Sequence, residues 1–94
     1  MIKVVAKCFV KAEDIQTFKQ YTNRLIEETR KEAGNLSYAL YEDIENSQIL
    51  TFIEEWQDKK ALDQHMSSKH FCEILPKLKS LQHKETEVNV YKEC

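Results

Sequence analysis

The chain has 94 residues, 41% of them hydrophobic and 32% charged, with a formal net charge of −2. That composition suits one folded domain spanning residues 1–94 and excludes a disordered chain. With no basic stripe, nucleic acid is an unsuitable partner, and no apolar run approaches the ~20 residues of a membrane span.

The N-terminal stretch MIKVVAKCFVKAED lacks the long apolar segment and small-residue cleavage site of a signal peptide, so a cytoplasmic location is expected. Three cysteines, Cys8, Cys72 and Cys94, form an odd set with no zinc-type spacing. They are read as free thiols in a reducing compartment.

Residues 2–10 are rich in β-branched side chains and predict a first strand, with Ile2, Val4, Ala6, Cys8 and Val10 on one face. Residues 12–33 predict a long helix. Ile15, Phe18, Tyr21, Leu25 and Ile26 recur at helical spacing. Glu13 and Asp14 near its start and Arg30 and Lys31 near its end suit the helix dipole. Gly34 fits the position after the helix, where a left-handed backbone costs glycine little.

Residues 36–43 and 48–56 predict two strands joined by the polar turn Asp43–Ser47, hence an antiparallel hairpin. Asp58 is placed to cap a short helix over 59–66, and Ser67 or Ser68 to cap another over 69–81. Pro76 lies inside the latter and is expected to kink or restart it, since it has no N–H to give the preceding turn. Residues 84–92 alternate and predict a last strand. The order β-α-β-β-α-β, with the second helix broken in two, is the ferredoxin-like α+β arrangement, a four-stranded antiparallel sheet with its helices on one face.

The hairpin strands are apolar on both sides. Ile49, Thr51 and Ile53 oppose Leu50, Phe52 and Trp56; Leu36, Tyr38 and Leu40 oppose Ser37, Ala39 and Tyr41. Helices can cover one side only. A face rich in Phe, Tyr and Trp is then expected to be left to water, and such a patch calls for a partner. A second copy packed sheet to sheet, giving a homodimer, is the simplest remedy.

His65 is the leading candidate for chemistry. Its ordinary pKa lies near neutrality, and it shares the core-facing side of the 59–66 helix with Ala61 and Leu62. The alternative is a buried, hydrogen-bonded structural histidine. Trp56, Tyr38, Phe52 and Phe71 suit either an apolar pocket or plain core. Glu54 and Glu55 face opposite ways, so one of them points inward and needs a Lys, Arg or backbone N–H partner. A structural ion pair is the simplest reading of it. His70 and His83 are read as surface residues. His65 and His70 are five apart, which is not zinc spacing, and one glycine cannot build a phosphate loop. No metal or cofactor site is therefore expected.

Four short runs resemble a known family. Glu32-Ala33-Gly34-Asn35-Leu36-Ser37-Tyr38 resembles the entry to the second strand of antibiotic-biosynthesis-monooxygenase domains, and Glu54-Glu55-Trp56 the end of their third. Ala61-Leu62-Asp63-Gln64-His65 and Ser68-Lys69-His70-Phe71 resemble the two motifs that follow, in the same order. For Glu54 the match selects the inward member of the pair.

The resemblance implies a dimeric α+β barrel with a pocket between sheet and helices in each subunit. Among relatives, some oxidise quinols or anthrones with O2 and no cofactor, others isomerise a phosphorylated dione from a quorum signal, and others degrade haem. The chain looks most like the short quinol-monooxygenase members. Against the haem branch it has His65 in place of a Trp, Leu75 in place of the ligating His, and Lys7 near the place of an Asn. Three functions stay open at this point. One is a quinol or phenol oxygenase using O2 with His65 as base. The second is an isomerase of a small dicarbonyl, and the third a non-enzymatic ligand-binding module.

Overall fold

The computed structural model describes residues 1–94. Strand β1 (Ile2–Val10) is followed by a 3-10 turn at Ala12–Asp14 and helix α1 (Ile15–Thr29). The hairpin β2 (Asn35–Glu42) and β3 (Ile49–Trp56) comes next, then α2 (Lys59–Met66), α3 (Lys69–Ser80) and β4 (Gln82–Lys92). The sheet is antiparallel in the order β2-β3-β1-β4. This is the ferredoxin-like βαββαβ arrangement predicted from the pattern.

Each junction has a local cause. In the hairpin turn the Asp43 carboxylate accepts from the backbone N–H of Glu45 (2.8 Å) and Asn46 (3.1 Å). Asp58 Oδ1 accepts from Ala61 N–H at 2.8 Å and starts α2. Ser68 Oγ accepts from Phe71 N–H at 3.3 Å and starts α3.

Helix α1 ends at Thr29, four residues before the predicted limit, and the chain then turns through 30–34. Gly34 follows with φ +86°. A Cβ there would lie 2.7 Å from the Ala61 Cβ, so glycine both permits the turn and lets α2 approach. α3 runs through Pro76 without restarting. The break in the second helix falls at Ser67–Ser68, between two separately capped helices, where the caps placed it.

All helices lie on one side of the sheet. Val4, Ala6, Cys8 and Val10 of β1, Tyr38 of β2 and Leu50, Phe52, Glu54 and Trp56 of β3 are buried there, with Phe18 and Leu25 of α1 and Ile74 and Leu78 of α3. The aromatic face was expected to meet water; it is instead the face the helices cover. Phe and Trp bring the most apolar area, so helix packing claims them first. The opposite face carries Val5, Ala39, Tyr41, Ile49, Thr51 and Ile53. Of these, Tyr41 is 55% and Ile53 36% exposed. No helix is long and apolar enough to cross a membrane.

Candidate functional site

The site grows from three segments that the sheet brings together. The turn after α1 supplies Glu32, α2 supplies His65 and the first turn of α3 supplies His70. His65 shares the buried side of α2 with Ala61 and Leu62 and is 1% exposed. Its Nδ1 lies 2.7 Å from Glu32 Oε2. His70 Nε2 lies 2.7 Å from the same oxygen. A carboxylate oxygen only accepts, so both ring nitrogens carry the proton and donate. Burial pulls the His65 pKa down, against the stabilising pull of Glu32 on the charged form. The ring is therefore neutral near pH 7, with the proton on Nδ1. Its Nε2 is buried and has no hydrogen-bond partner.

Aromatic rings hold His65 on several sides. Ring centroids lie 4.7 Å away for Trp56, 4.9 Å for Phe71 and 5.4 Å for Tyr38. These contacts fix the imidazole plane, so the Nε2 lone pair has one direction.

His65 lines a cavity of about 750 Å³ between sheet and helices. That volume suits a small-molecule site. Its walls are mainly apolar, from Val4, Ala6, Phe52, Leu62, Phe71 and Leu78, with Tyr38 and Glu54 as polar members on the sheet and Lys79, His83, Lys84 and Glu85 as charged or titratable ones where α3 runs into β4. The side under β4 carries Gln82, Thr86 and Val88.

Glu54 points inward from near the end of β3 and is 6% exposed. Its partner is not the expected Lys, Arg or backbone N–H. The Trp56 indole donates to Oε1 at 3.0 Å, and no ion pair forms within the chain. Burial pushes the carboxyl up to about 7, against the lowering effect of the indole N–H; the nearby Glu32 charge adds to the rise. Burial likewise pushes the Tyr38 hydroxyl well above its usual range, reinforced by the Glu54 and Glu32 charges.

Among the residues predicted for the pocket, His65, Tyr38, Phe52, Phe71 and Glu54 do line the cavity. Trp56 does not. It is wholly buried behind the lining, where it bridges Glu54 by its N–H and His65 by its ring. His70 is not the surface residue expected, because its ring turns in to Glu32. Glu32 was not singled out from the sequence. Its one signal was its place at the head of the Glu32–Tyr38 run.

Glu32, His65 and His70 place their ligand atoms within 4.8 Å of one another, a set that pairwise spacing could not reveal. Their composition would suit a divalent metal. The 2.7 Å approach of each nitrogen to one oxygen is instead hydrogen-bond length. Ligand atoms around a shared zinc, each about 2.0–2.2 Å from it in a tetrahedron, stand further apart than that.

Residues 1–76 match the family model for antibiotic biosynthesis monooxygenases. The chain belongs to the antibiotic biosynthesis monooxygenase family. A solved structure of a conserved protein from Methanosarcina mazei Go1 superposes with a TM-score of 0.98 at 49% identity, over 99% of this chain and 92% of that one. A solved structure described as an antibiotic biosynthesis monooxygenase gives 0.95 at 34% identity, over 100% and 99%. Among sequences, the uncharacterised protein sll1783 of Synechocystis is 33% identical over 97% of this chain. The chain spans 62% of that relative's length. Glu32, Glu54, Trp56, His65 and His70 all fall within the matched family region.

Proposed function

We propose that this family member is a cofactor-independent oxygenase that oxidises a quinol or similarly electron-rich phenol with O2. The observation that carries the reading is the state of His65. Its Nδ1–H is committed to Glu32, and its Nε2 is unpartnered beside an apolar cavity. That is the arrangement of an oriented general base. Nε2 takes the phenolic proton. The phenolate is a strong reductant, so one electron passes to O2, and the two radicals join at a ring carbon. The substrate supplies the electrons, and the protein supplies the base, the orientation and a cavity that holds back water.

Oxygen uptake with a panel of substituted hydroquinones tests this. Consumption that depends on His65 is expected. Uptake at background for the whole panel would overturn the reading. Turnover of a small dicarbonyl that survives strict anaerobiosis would replace it with the isomerase reading.

The working unit in this reading is a homodimer. The uncovered sheet face, with Ile49, Ile53, Val5 and Tyr41, supports it. Light scattering at micromolar concentration should give twice the 11.2 kDa chain mass; a monomer mass would refute the pairing.

A further inference from the structure

We propose that Glu54 is a second catalytic group, a carboxylic acid that holds its proton inside the cavity and passes it to an oxygen of the bound substrate. This rests on the oxygenase reading above and deepens it.

The geometry makes the case. Glu54 lies near the end of β3, between Val4 of β1 and Tyr38 of β2 in the sheet register. The groups around it are Tyr38, Cys8 of β1, Glu32 beyond Tyr38, and His65 of α2 across the Trp56 ring. None of these is a cation at neutral pH; Lys79 of α3 and His83, Lys84 and Glu85 of β4 also line the cavity, and none of them pairs with Glu54, whose bond is to the indole. Its single protein partner is the indole N–H on Oε1; Oε2 accepts no bond from the protein, and the residue lines the cavity. A carboxyl buried with one donor and no counter-charge keeps its proton. The value of about 7 agrees with that placement. A structural glutamate would have been given an arginine or a set of backbone donors.

His65 and Glu54 then form a matched pair on one cavity, a neutral base and a neutral acid. The cycle closes with both. His65 Nε2 removes the phenolic proton and becomes charged. The phenolate and O2 form a C–O bond at a ring carbon that bears hydrogen, giving a peroxide anion. Glu54 protonates the outer oxygen and becomes a carboxylate. Glu54 then takes the hydrogen of that ring carbon as a proton. The electrons of the C–H bond form C=O, the O–O bond breaks, and the departing hydroxide takes the proton held by His65. The sum is phenol plus O2 to quinone plus water. The substrate loses four electrons, O2 gains four, and both side chains return to their starting states. The pair therefore selects phenols with an unsubstituted ring position next to or opposite the hydroxyl.

Glu54→Gln tests the assignment, because the amide still accepts the Trp56 N–H but carries no transferable proton. Infrared difference spectra of the wild type should show the carbonyl band of a protonated acid at about pH 6 that is gone by about pH 8. The band should be missing in Glu54→Gln and kept in Glu32→Gln. With a hydroquinone that the wild type oxidises, Glu54→Gln should keep KM within about twofold and lose roughly 10²-fold or more in kcat. It should also lose the fall in rate above about 7 that the wild type is expected to have. Absence of the band in the wild type would overturn the assignment whatever the activity. So would a variant with wild-type kcat and an unchanged pH profile. If the wild type shows the band yet oxidises no hydroquinone, the oxygenase reading and the transfer step fall together.

Discussion

Glu32 bonds the His65 imidazole directly and Glu54 reaches it only through Trp56, and the two carboxyls meet opposite surroundings. Glu32 sits in a turn after α1, partly open to solvent, and one of its oxygens accepts N–H bonds from both His65 and His70. Glu54 sits inside the sheet layer, and the Trp56 indole alone serves it. The first carboxylate orients the His65 imidazole. The second is left with burial uncompensated, and burial favours the protonated acid. Donor count and access to water, not residue type, divide the two roles.

The largest effect expected is at the group between them. His65→Ala should lower turnover by roughly 10²–10⁴-fold, the usual weight of an acid–base group, in oxygen-uptake assays. A loss under tenfold would mean that neither carboxylate serves a base.

Glu54→Gln should next separate the two carboxylates by stability. A carboxyl raised from 4.5 to about 7 binds its proton more tightly folded than unfolded. Its contribution is full below 4.5 and is lost as pH rises through about 7. The wild type should therefore lose about 3 kcal/mol between acid and mildly alkaline pH from this group. The Gln variant should not. Urea unfolding at about pH 5 and about pH 8 reads the difference. Equal pH dependence in both proteins would show that Glu54 is not held neutral.

Glu32→Ala leaves the buried His65 Nδ1–H without an acceptor. Orphaned groups of this kind cost about 1–3 kcal/mol, and the imidazole loses the bond that fixes its tautomer. A ten- to hundredfold fall in kcat is expected, on the order of that same energy. Unchanged kcat with unchanged stability would remove Glu32 from the site.

The smallest effect belongs to His70→Ala. It deletes one of the two donors to Glu32 at a partly exposed position, so roughly 0.5–1.5 kcal/mol of stability is at stake. Turnover should change by a few-fold at most. A fall as large as that of His65→Ala would make His70 a proton carrier in its own right.

Much of the fold was legible in the sequence. The 3.6-residue recurrence of Phe18, Leu25 and Ile26, the alternation along β1 and the caps at Asp58 and Ser68 are local signals, and local signals survive in one dimension. The errors have tertiary causes. α3 continues through Pro76 because the packing of Ile74 and Leu78 outweighs one missing hydrogen bond. The end of α1 was overrun because the charged residues 30–32 and Ala33 read equally well as a last turn or a loop. The sheet faces were assigned the wrong way round to water, since period-2 alternation separates two faces without saying which one the helices will choose.

The site was half legible. His65 was found from its place beside Ala61 and Leu62; the opposed facings of Glu54 and Glu55 turned one of them inward, and the family resemblance picked Glu54. What pairs with each was not found. Glu32 is 33 residues from His65 and 38 from His70, and no periodicity links positions so far apart.

Sequence by itself determined the element order, the capped helix starts, the glycine in the turn after α1, and the inward turn of His65. These follow from backbone sterics and burial patterns that each segment carries alone. Only the tertiary structure decided that a turn, two helices and a strand end deliver Glu32, His65, His70, Trp56 and Glu54 to one place. Hydrogen bonds of 2.7–3.0 Å between them depend on how the whole sheet and its helices pack, and that packing is a property of the folded chain.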